Sequence, residues 1–199
     1  MGLFERPLAR QVVYRGAYLA TERWRVRLPD GREALRDIVR PPDAAAVLPI
    51  DQAGRVHLVR QARPAAGRLV IEIPAGIIPP GESPRATAVR ECAEEIGQRP
   101  RRLRKLCTVF PAIGYSTGRV HIYLGTDLSV AERAPTDATE FLEIVRIPFP
   151  RVLRMALANE IRDAQTMIAV LWAARLEGRG ATVRSAKRTA GRAGRGRSR

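Results

Sequence analysis

One stretch, from Gly76 to Gln98, constrains this chain more than any other; it reads GIIPPGESPRATAVRECAEEIGQ. Ser83 is a favourable N-cap residue, and Pro84 suits the first position of a helix. Gly97 suits the position just beyond a helix, where the backbone turns left-handed. The stretch therefore predicts a helix from about Pro84 to Ile96.

Helical spacing places three carboxylates, Glu91, Glu94 and Glu95, on one face of this helix. The residues roughly opposite are Arg85, Val89, Cys92, Ala93 and Ile96. Acids spaced three and four residues apart repel each other by a few tenths of a kcal/mol per pair, so they do not serve helix stability. A divalent cation that prefers oxygen ligands, such as Mg²⁺ or Mn²⁺, would offset the repulsion. A plain solvated acidic face is the alternative.

The spacing resembles the Nudix box, GX5EX7REUXEEXGU, in which U is a bulky aliphatic residue. Cys92 and Gln98 stand at the U positions, and we interpret Gln98 as a difference in packing. The resemblance implies a hydrolase that cuts a nucleoside diphosphate linked to another group. It also implies an α/β fold: a Nudix-type α/β/α sandwich with a mixed sheet. The matching residues are Gly76, Glu82, Arg90, Glu91, Glu94, Glu95 and Gly97.

The resemblance also implies roles for these residues. Glu91 and Glu95, with Glu94 directly or through water, would hold two or more Mg²⁺ ions, with Mn²⁺ as the alternative metal. The carbonyl oxygen of Ala75 would join them. Arg90 would buttress the carboxylates, with Glu82 as its partner. The predicted catalytic residues are Glu95, Glu94, Arg90 and Glu140, and the residues with a structural role in the box are Gly76, Glu82 and Gly97.

Three flanking segments narrow the resemblance to the branch of ADP-ribose and nucleotide-sugar pyrophosphatases. EIPAG at 72–76 resembles ELPAG, VRQARP at 59–64 resembles VRQYRP, and EIRDAQT at 160–166 resembles GEIxDAKT. The resemblance implies that Arg63 and Glu72 lie near the substrate. A surface charge at the end of a strand is the alternative for Arg63.

Two loops carry further candidates. The loop 111–118 resembles SPGxSxE, with Gly114 and Ser116 matching as substrate-binding residues. Ile113 and Gly118 stand where the branch has a proline and a glutamate, and the branch uses that glutamate carboxylate near the terminal ribose. The two departures therefore count against ADP-ribose itself as the substrate. Glu140, in the polar loop 127–140, is the candidate base that activates water; Asp137 is a nearby substitute, and simple solvation is the alternative for both.

Three units are predicted. Residues 1–43 form an N-terminal antiparallel β-sheet that must pack on the body or on another subunit, residues 44–177 form the hydrolase domain, and residues 178–199 form a tail. In the resembling branch the N-terminal sheet exchanges within a homodimer and helps to hold the base, and Tyr14, Tyr18 and Trp24 are candidates for stacking. The predicted strands are 11–20, 21–28, 32–40, 44–50 and 55–61 (a second hairpin), 69–73, 103–110, 119–126 and 141–147, with helices at 150–159 and 163–176.

The formal net charge of +15 is concentrated in the tail. Residues 178–199 hold eight basic residues and no acid, so the rest of the chain carries +7. Because it is rich in Gly, Ala, Ser and Arg, the tail is predicted to be disordered. It would hold nucleic acid or an acidic partner weakly, or it is a by-product of an Arg-rich composition. The chain has no signal-like or membrane-spanning run and two cysteines, which predicts a cytoplasmic protein without disulfides.

These features predict Mg²⁺-dependent hydrolysis of a nucleoside diphosphate compound, with ADP-ribose or a related nucleotide sugar as substrate. The products would be a nucleoside monophosphate and a sugar phosphate. One alternative is a Nudix hydrolase of another substrate, such as a dinucleoside polyphosphate or capped RNA. The other is a non-catalytic Nudix module that binds a nucleotide, or RNA through the tail.

Overall fold

The computed structural model describes residues 2–131 and 141–176. A 3₁₀ turn lies at Pro64–Ala66. In chain order the strands and helices are β1 (Arg6–Arg15), β2 (Ala20–Arg27), β3 (Glu33–Arg40), β4 (Ala44–Pro49), β5 (Arg55–Arg63), β6 (Arg68–Glu72), β7 (Ala75–Ile77), α1 (Pro84–Ile96), β8 (Gln98–Val109), β9 (Val120–Val130), β10 (Leu142–Pro148), α2 (Phe149–Leu157) and α3 (164–176).

The strands form three sheets within the described residues. The N-terminal sheet has the order β1-β2-β3 and is antiparallel, as predicted. A second antiparallel sheet has the order β10-β5-β6. The third has the order β7-β4-β9-β8 and is mixed, because β4 and β9 run parallel while the other two pairs are antiparallel.

The central strand β4 separates two hydrophobic cores. Successive side chains of a strand point to opposite faces. Ala46 and Leu48 therefore pack in a core with residues of α2 and α3. Ala45 and Val47 pack in a second core with Ala88, Cys92 and Ile96 of α1. With helices on both sides of the strand layer, the predicted α/β/α sandwich with a mixed sheet is confirmed.

The predicted hairpin of 44–50 and 55–61 is wrong. Both strands form, but only one isolated bridge, between Ile50 and Val56, joins them. β4 pairs with β7 and β9, whereas β5 pairs with β6 and β10. β4 is buried from Ala45 to Pro49 and β5 from Val56 to Val59, so the backbone of each needs partners along both edges, and the chain crosses from one sheet to the other between them.

The first strand also differs from its prediction. β1 begins at Arg6 and ends at Arg15, five residues before the predicted end at Ala20. A tight turn closes at Gly16, whose N–H donates to the carbonyl of Leu19 at 2.8 Å. The polar start of β1 is extended because it pairs with the far end of β2, a contact that local composition does not encode.

The polar loop predicted at 127–140 begins later than expected, since residues 127–130 continue β9. Asp137 and Glu140 lie outside the described residues. In the part of the chain that the structure covers, none of the helices has the length and apolar character needed to cross a bilayer.

Candidate functional site

The helix that carries the acidic cluster begins and ends where the sequence predicts. α1 runs from Pro84 to Ile96, and the Ser83 hydroxyl accepts a hydrogen bond from the N–H of Ala86 at 3.2 Å. Gly97 adopts the left-handed conformation, with φ of 64°, and its N–H donates to the carbonyl of Ala93. Arg85 does not belong to the buried face; it is exposed and donates to the carbonyl of Leu103 at 2.8 Å.

The three carboxylates of α1 do not share one environment. Glu95 is only 6% exposed, which argues against a plain solvated acidic face. Burial of the Cys92 thiol raises its pKa to about 12, and the negative charge of Glu95 contributes to that rise. Glu94 lines a groove along α1, while Glu91 and Glu95 line a separate cleft.

Arg90 ties the acidic residues together. One guanidinium nitrogen, Nη1, lies 2.8 Å from Glu91 Oε1 and 2.7 Å from Glu94 Oε2, and Nη2 lies 3.2 Å from Glu82 Oε2. Burial alone would lower the pKa of Arg90, but the bonds to Glu82 and the charges of Glu91 and Glu94 raise it. The predicted contact between Arg90 and Glu82 is therefore present, and Arg90 stays charged.

The cleft has a volume of about 720 Å³, within the range of small-molecule sites. It lies where the N-terminal sheet, β5, β7, α1 and α3 meet. Glu91 and Glu95 line it from α1, and Arg63 lines it from the end of β5. The remaining lining residues are Tyr18, Ala44, Gln61, Ala75, Gly76, Ile77, Pro79, Arg90 and Gln165.

Gly76 allows the Glu91 carboxylate to lie against the backbone of β7. A Cβ atom at position 76 would lie 2.0 Å from Glu91 Oε1 and 2.1 Å from its Cδ, so any other residue would displace the carboxylate. The close approach brings a carboxylate together with the backbone of Ala75 and Gly76. Carboxylate and carbonyl oxygens are the donors that Mg²⁺ and Mn²⁺ accept, so these residues fit a hard divalent cation.

Across residues 2–131 and 141–176, no three side chains of His, Cys, Asp or Glu converge closely enough to hold a metal ion. The Arg90 guanidinium bridges Glu91 and Glu94, and Glu94 lines the groove rather than the cleft. A metal ion in the cleft would therefore rely on Glu91 and Glu95, and would need backbone carbonyl, water or substrate oxygens to complete its shell.

Arg63 faces the same cleft and is held by Glu72. Its Nη2 lies 2.8 Å from Glu72 Oε2, and the Gln61 amide donates to the same oxygen at 2.9 Å. Burial alone would lower the pKa of Arg63, but the bonds to Glu72 and the charges of Glu95 and Asp163 raise it. Arg63 is thus a cation anchored at the cleft rather than an isolated surface charge. Glu72, also predicted near the substrate, is the residue that anchors it.

Gly114 and Ser116 are placed elsewhere. Their loop packs on β3, where the Val39 N–H donates to the carbonyl of Tyr115 at 2.7 Å and the Thr117 N–H donates to that of Val39. Neither Gly114 nor Ser116 lines the cleft. Their role in substrate binding stays a prediction, as does the role of Glu140.

Of the three aromatic candidates, Tyr18 lines the cleft, from the turn between β1 and β2. Trp24 is engaged by neighbours of its own sheet: the Arg10 guanidinium lies 4.1 Å from its ring centroid, and its indole N–H donates to Glu22 at 2.6 Å. Tyr14 lies on β1 and is 59% exposed.

Residues near the start of α3 are missing from the sequence-based candidates. Gln165 lines the cleft, and the neighbouring Thr166 is fully buried. The segment EIRDAQT was the available signal, since Asp163 precedes α3 as an N-cap residue would. The signal identified the segment, but it did not show that Gln165 faces the cleft.

Comparison with known proteins agrees with this geometry. The family model of the NUDIX domain matches residues 40–170. The chain is 33% identical to the ADP-ribose pyrophosphatase of Bacillus subtilis (strain 168), covering 84% of this chain and 91% of that protein. It is 31% identical to the methanol dehydrogenase activator of Bacillus methanolicus, covering 83% and 90%.

A solved structure described as that of an ADP compounds hydrolase superposes with a TM-score of 0.77, at 24% identity, over 88% of this chain and 96% of that one. This likeness shows the fold. Since the family model and the Bacillus relatives match most of the chain, and Gly76, Arg90, Glu91 and Glu95 of the box line one cleft, the chain belongs to the Nudix family and is a Nudix hydrolase.

Proposed function

We propose that this hydrolase cleaves the diphosphate of ADP-ribose or a related nucleotide sugar, with Mg²⁺ as its metal and Mn²⁺ as the alternative. The products are a nucleoside monophosphate and a sugar phosphate. One observation supports this most directly: Glu91, Glu95 and Arg63 line a single cleft of about 720 Å³. A cation held from α1 and an anchored arginine at the end of β5 suit a ligand that carries two linked phosphates.

In this proposal Glu91, Glu95 and the Ala75 carbonyl hold the metal, which when bound supplies positive charge to the diphosphate and acidifies a water ligand. Arg90 keeps Glu91 and Glu94 in place through its two short contacts. Arg63 donates to phosphate oxygens, in an orientation fixed by Glu72. Tyr18 covers part of the cleft and contacts the base or the sugar, and the Glu140 carboxylate accepts the proton of the attacking water.

The role of Glu95 is tested by Glu95→Gln, which keeps the shape of the side chain and removes its charge. We expect turnover to fall by about 100-fold or more, because a buried carboxylate that holds a metal is lost. Circular dichroism and the melting temperature check the fold. Glu143→Gln is the matched control, since Glu143 is exposed on β10 and pairs with Arg60. Full activity of Glu95→Gln would remove this assignment.

The substrate is tested by phosphate release in a coupled phosphatase assay with Mg²⁺, across ADP-ribose, ADP-glucose, GDP-mannose, UDP-glucose and dinucleoside polyphosphates. We expect preference for one diphosphate sugar. Chelation should abolish turnover, and adding back Mg²⁺ or Mn²⁺ shows which ion restores it. Preference for a dinucleoside polyphosphate, or no turnover at all with metal still bound, would contradict the proposal.

The non-catalytic alternative relies on the basic tail, residues 178–199, which lies outside the described residues. Deleting the tail removes eight positive charges. We expect turnover of a small nucleotide sugar to stay within about twofold of the full chain, since electrostatic attraction to a polyanion does not limit that reaction. An RNA-binding module would instead lose its affinity and salt dependence, and it would show no turnover before or after the deletion.

The proposal includes a homodimer and a cytoplasmic location, both of which the sequence predicts. The homodimer is supported by apolar side chains that the N-terminal sheet leaves exposed, among them Tyr14 and Leu35, each 59% exposed. Such side chains are typical of a surface that another chain covers.

A further inference from the structure

The segment between β6 and β7 joins the two halves of the cleft. β6 ends at Glu72, which pairs with Val59 in one sheet and holds Arg63. β7 begins at Ala75, which pairs with Ala46 in the other sheet and lies on the metal side of the cleft. Only Ile73 and Pro74 lie between them. The distance between the arginine side and the metal side therefore depends on how these two residues are held.

Each backbone polar group of this crossing needs a partner, because Ile73 is only 1% exposed. The carbonyl of Pro74 accepts from the N–H of Val47 at 2.9 Å, and Pro74 has no N–H to satisfy. The N–H of Ile73 donates to the side-chain hydroxyl Oγ1 of Thr166 at 2.9 Å. A threonine from α3 thus takes the place of a neighbouring strand where the chain changes sheets.

The Thr166 hydroxyl is itself oriented. Its O–H donates to Asp163 Oδ2 at 2.5 Å, and the backbone N–H of Thr166 donates to the same oxygen at 2.9 Å. With its proton committed to Asp163, the hydroxyl presents a lone pair to the N–H of Ile73. Thr166 is fully buried, so water cannot replace this contact. The same turn of α3 places Gln165 in the cleft.

We propose that Thr166, oriented by Asp163, is a positioning residue for this hydrolase. It fixes the crossing from Glu72 to Ala75 and so sets Arg63 against the metal-binding wall. Thr166 does not line the cleft, and it acts through the backbone of Ile73. The predicted fall in turnover rests on the proposed function, whereas the predicted fall in metal affinity is measured without substrate and does not depend on which substrate the enzyme cleaves.

Thr166→Val tests the proposal, because valine keeps the shape and removes the hydroxyl, while Thr166→Ser keeps the hydroxyl. We expect Thr166→Val to weaken Mn²⁺ binding, measured by calorimetry without substrate, and to lower kcat, each by about 10- to 100-fold. Thr166→Ser should stay within about threefold of the natural protein in both measurements. Recovery by serine would show that the hydroxyl, rather than side-chain volume, matters.

Val152→Ala separates positioning from stability. Val152 is fully buried in α2 and shares the core with Ile73, but it takes no part in the three hydrogen bonds that Thr166 makes with Ile73 and Asp163. We expect this variant to unfold at lower temperature and to bind Mn²⁺ normally. Equal Mn²⁺ affinity of Thr166→Val and Thr166→Ser would overturn the proposal. Weakened Mn²⁺ binding by Thr166→Val in a protein that turns over no nucleotide sugar would support the positioning role and contradict the proposed function.

Discussion

At the scale of single residues, the cleft depends on a close approach between backbone and carboxylate. The Glu91 side chain occupies the space where a Cβ of residue 76 would lie, and Arg90 Nη1 contacts the same carboxylate at 2.8 Å. A glycine and a guanidinium therefore both position the Glu91 carboxylate. Such placement prepares an oxygen ligand before any ion arrives, which lowers the reorganisation that binding requires.

Gly76→Ala tests this placement. The added Cβ would fall 2.0 Å from Glu91 Oε1, so the carboxylate must move away from the backbone of β7. We expect turnover and Mn²⁺ affinity to fall by about 10- to 100-fold. Activity assays and calorimetry measure these effects.

Gly125→Ala is the matched control. Its Cβ would lie 3.0 Å from atoms of Val47 and Pro100, so it strains the packing of β9 without touching the cleft. Equal loss of activity in both variants would mean that Gly76 matters only for packing.

At the scale of secondary-structure elements, the loop between β4 and β5 shows how the chain changes sheets. Asp51 accepts hydrogen bonds from the backbone N–H groups of Ala53 and Arg55, from the Arg55 side chain, and at 3.1 Å contacts His57 Nε2. Burial alone would raise the pKa of Asp51, but these bonds lower it to about 2. One ionised carboxylate therefore organises the crossing.

The lowered pKa predicts how Asp51 contributes to stability as pH changes. A carboxyl group whose folded pKa lies below its unfolded value stabilises the fold above the unfolded value, near 3.9, and loses that contribution as pH falls through about 2. We expect Asp51→Asn to cost up to roughly 2 kcal/mol of unfolding free energy at neutral pH, and the difference to shrink as pH falls. Urea unfolding at a series of pH values measures it. A difference that stays constant down to about pH 2 would show that Asp51 acts without its charge.

The elements also show what a sequence can predict. The bounds of α1 are encoded locally, by Ser83, Pro84 and Gly97, and the structure has them where predicted. The predicted hairpin of β4 and β5 is wrong because β4 pairs with β7 and β9 in one sheet, whereas β5 pairs with β6 and β10 in another. Which strands pair depends on how each strand is buried in the folded chain, and a turn sequence between two strands does not reveal that.

The same distinction holds for the site. Glu91, Glu95 and Arg63 follow from spacing within short motifs, and all three line the cleft. The bond between Thr166 and Ile73 spans 93 residues, so only the folded chain shows it. Gly114 was also named from a motif, but its loop packs on β3, away from the cleft lining.

At the scale of the whole molecule, the N-terminal sheet combines ion pairs between its strands with apolar side chains that stay uncovered. Arg23 pairs with Asp37 at 2.8 Å, and Arg27 pairs with Glu33 at 3.1 Å. Tyr14 and Leu35 remain 59% exposed. Across the sheet, Tyr14 of β1 pairs with Thr21 of β2, which pairs with Val39 of β3. Paired residues share a face, and so do residues an even number apart on one strand, such as Val39 and Leu35. The side chains of Tyr14 and Leu35 therefore lie on the same face of the sheet.

A second copy of the chain covering this face would bury these side chains, which predicts a homodimer in solution. We expect light scattering to give a native mass of twice 22.0 kDa. Leu35→Lys should give the monomer mass, because it places a charge where apolar contact is expected. Leu157→Lys is the control: Leu157 is 69% exposed on α2, outside the sheet, and this variant should stay dimeric. A native protein of 22.0 kDa would contradict the homodimer, and dissociation of both variants would place the contact elsewhere.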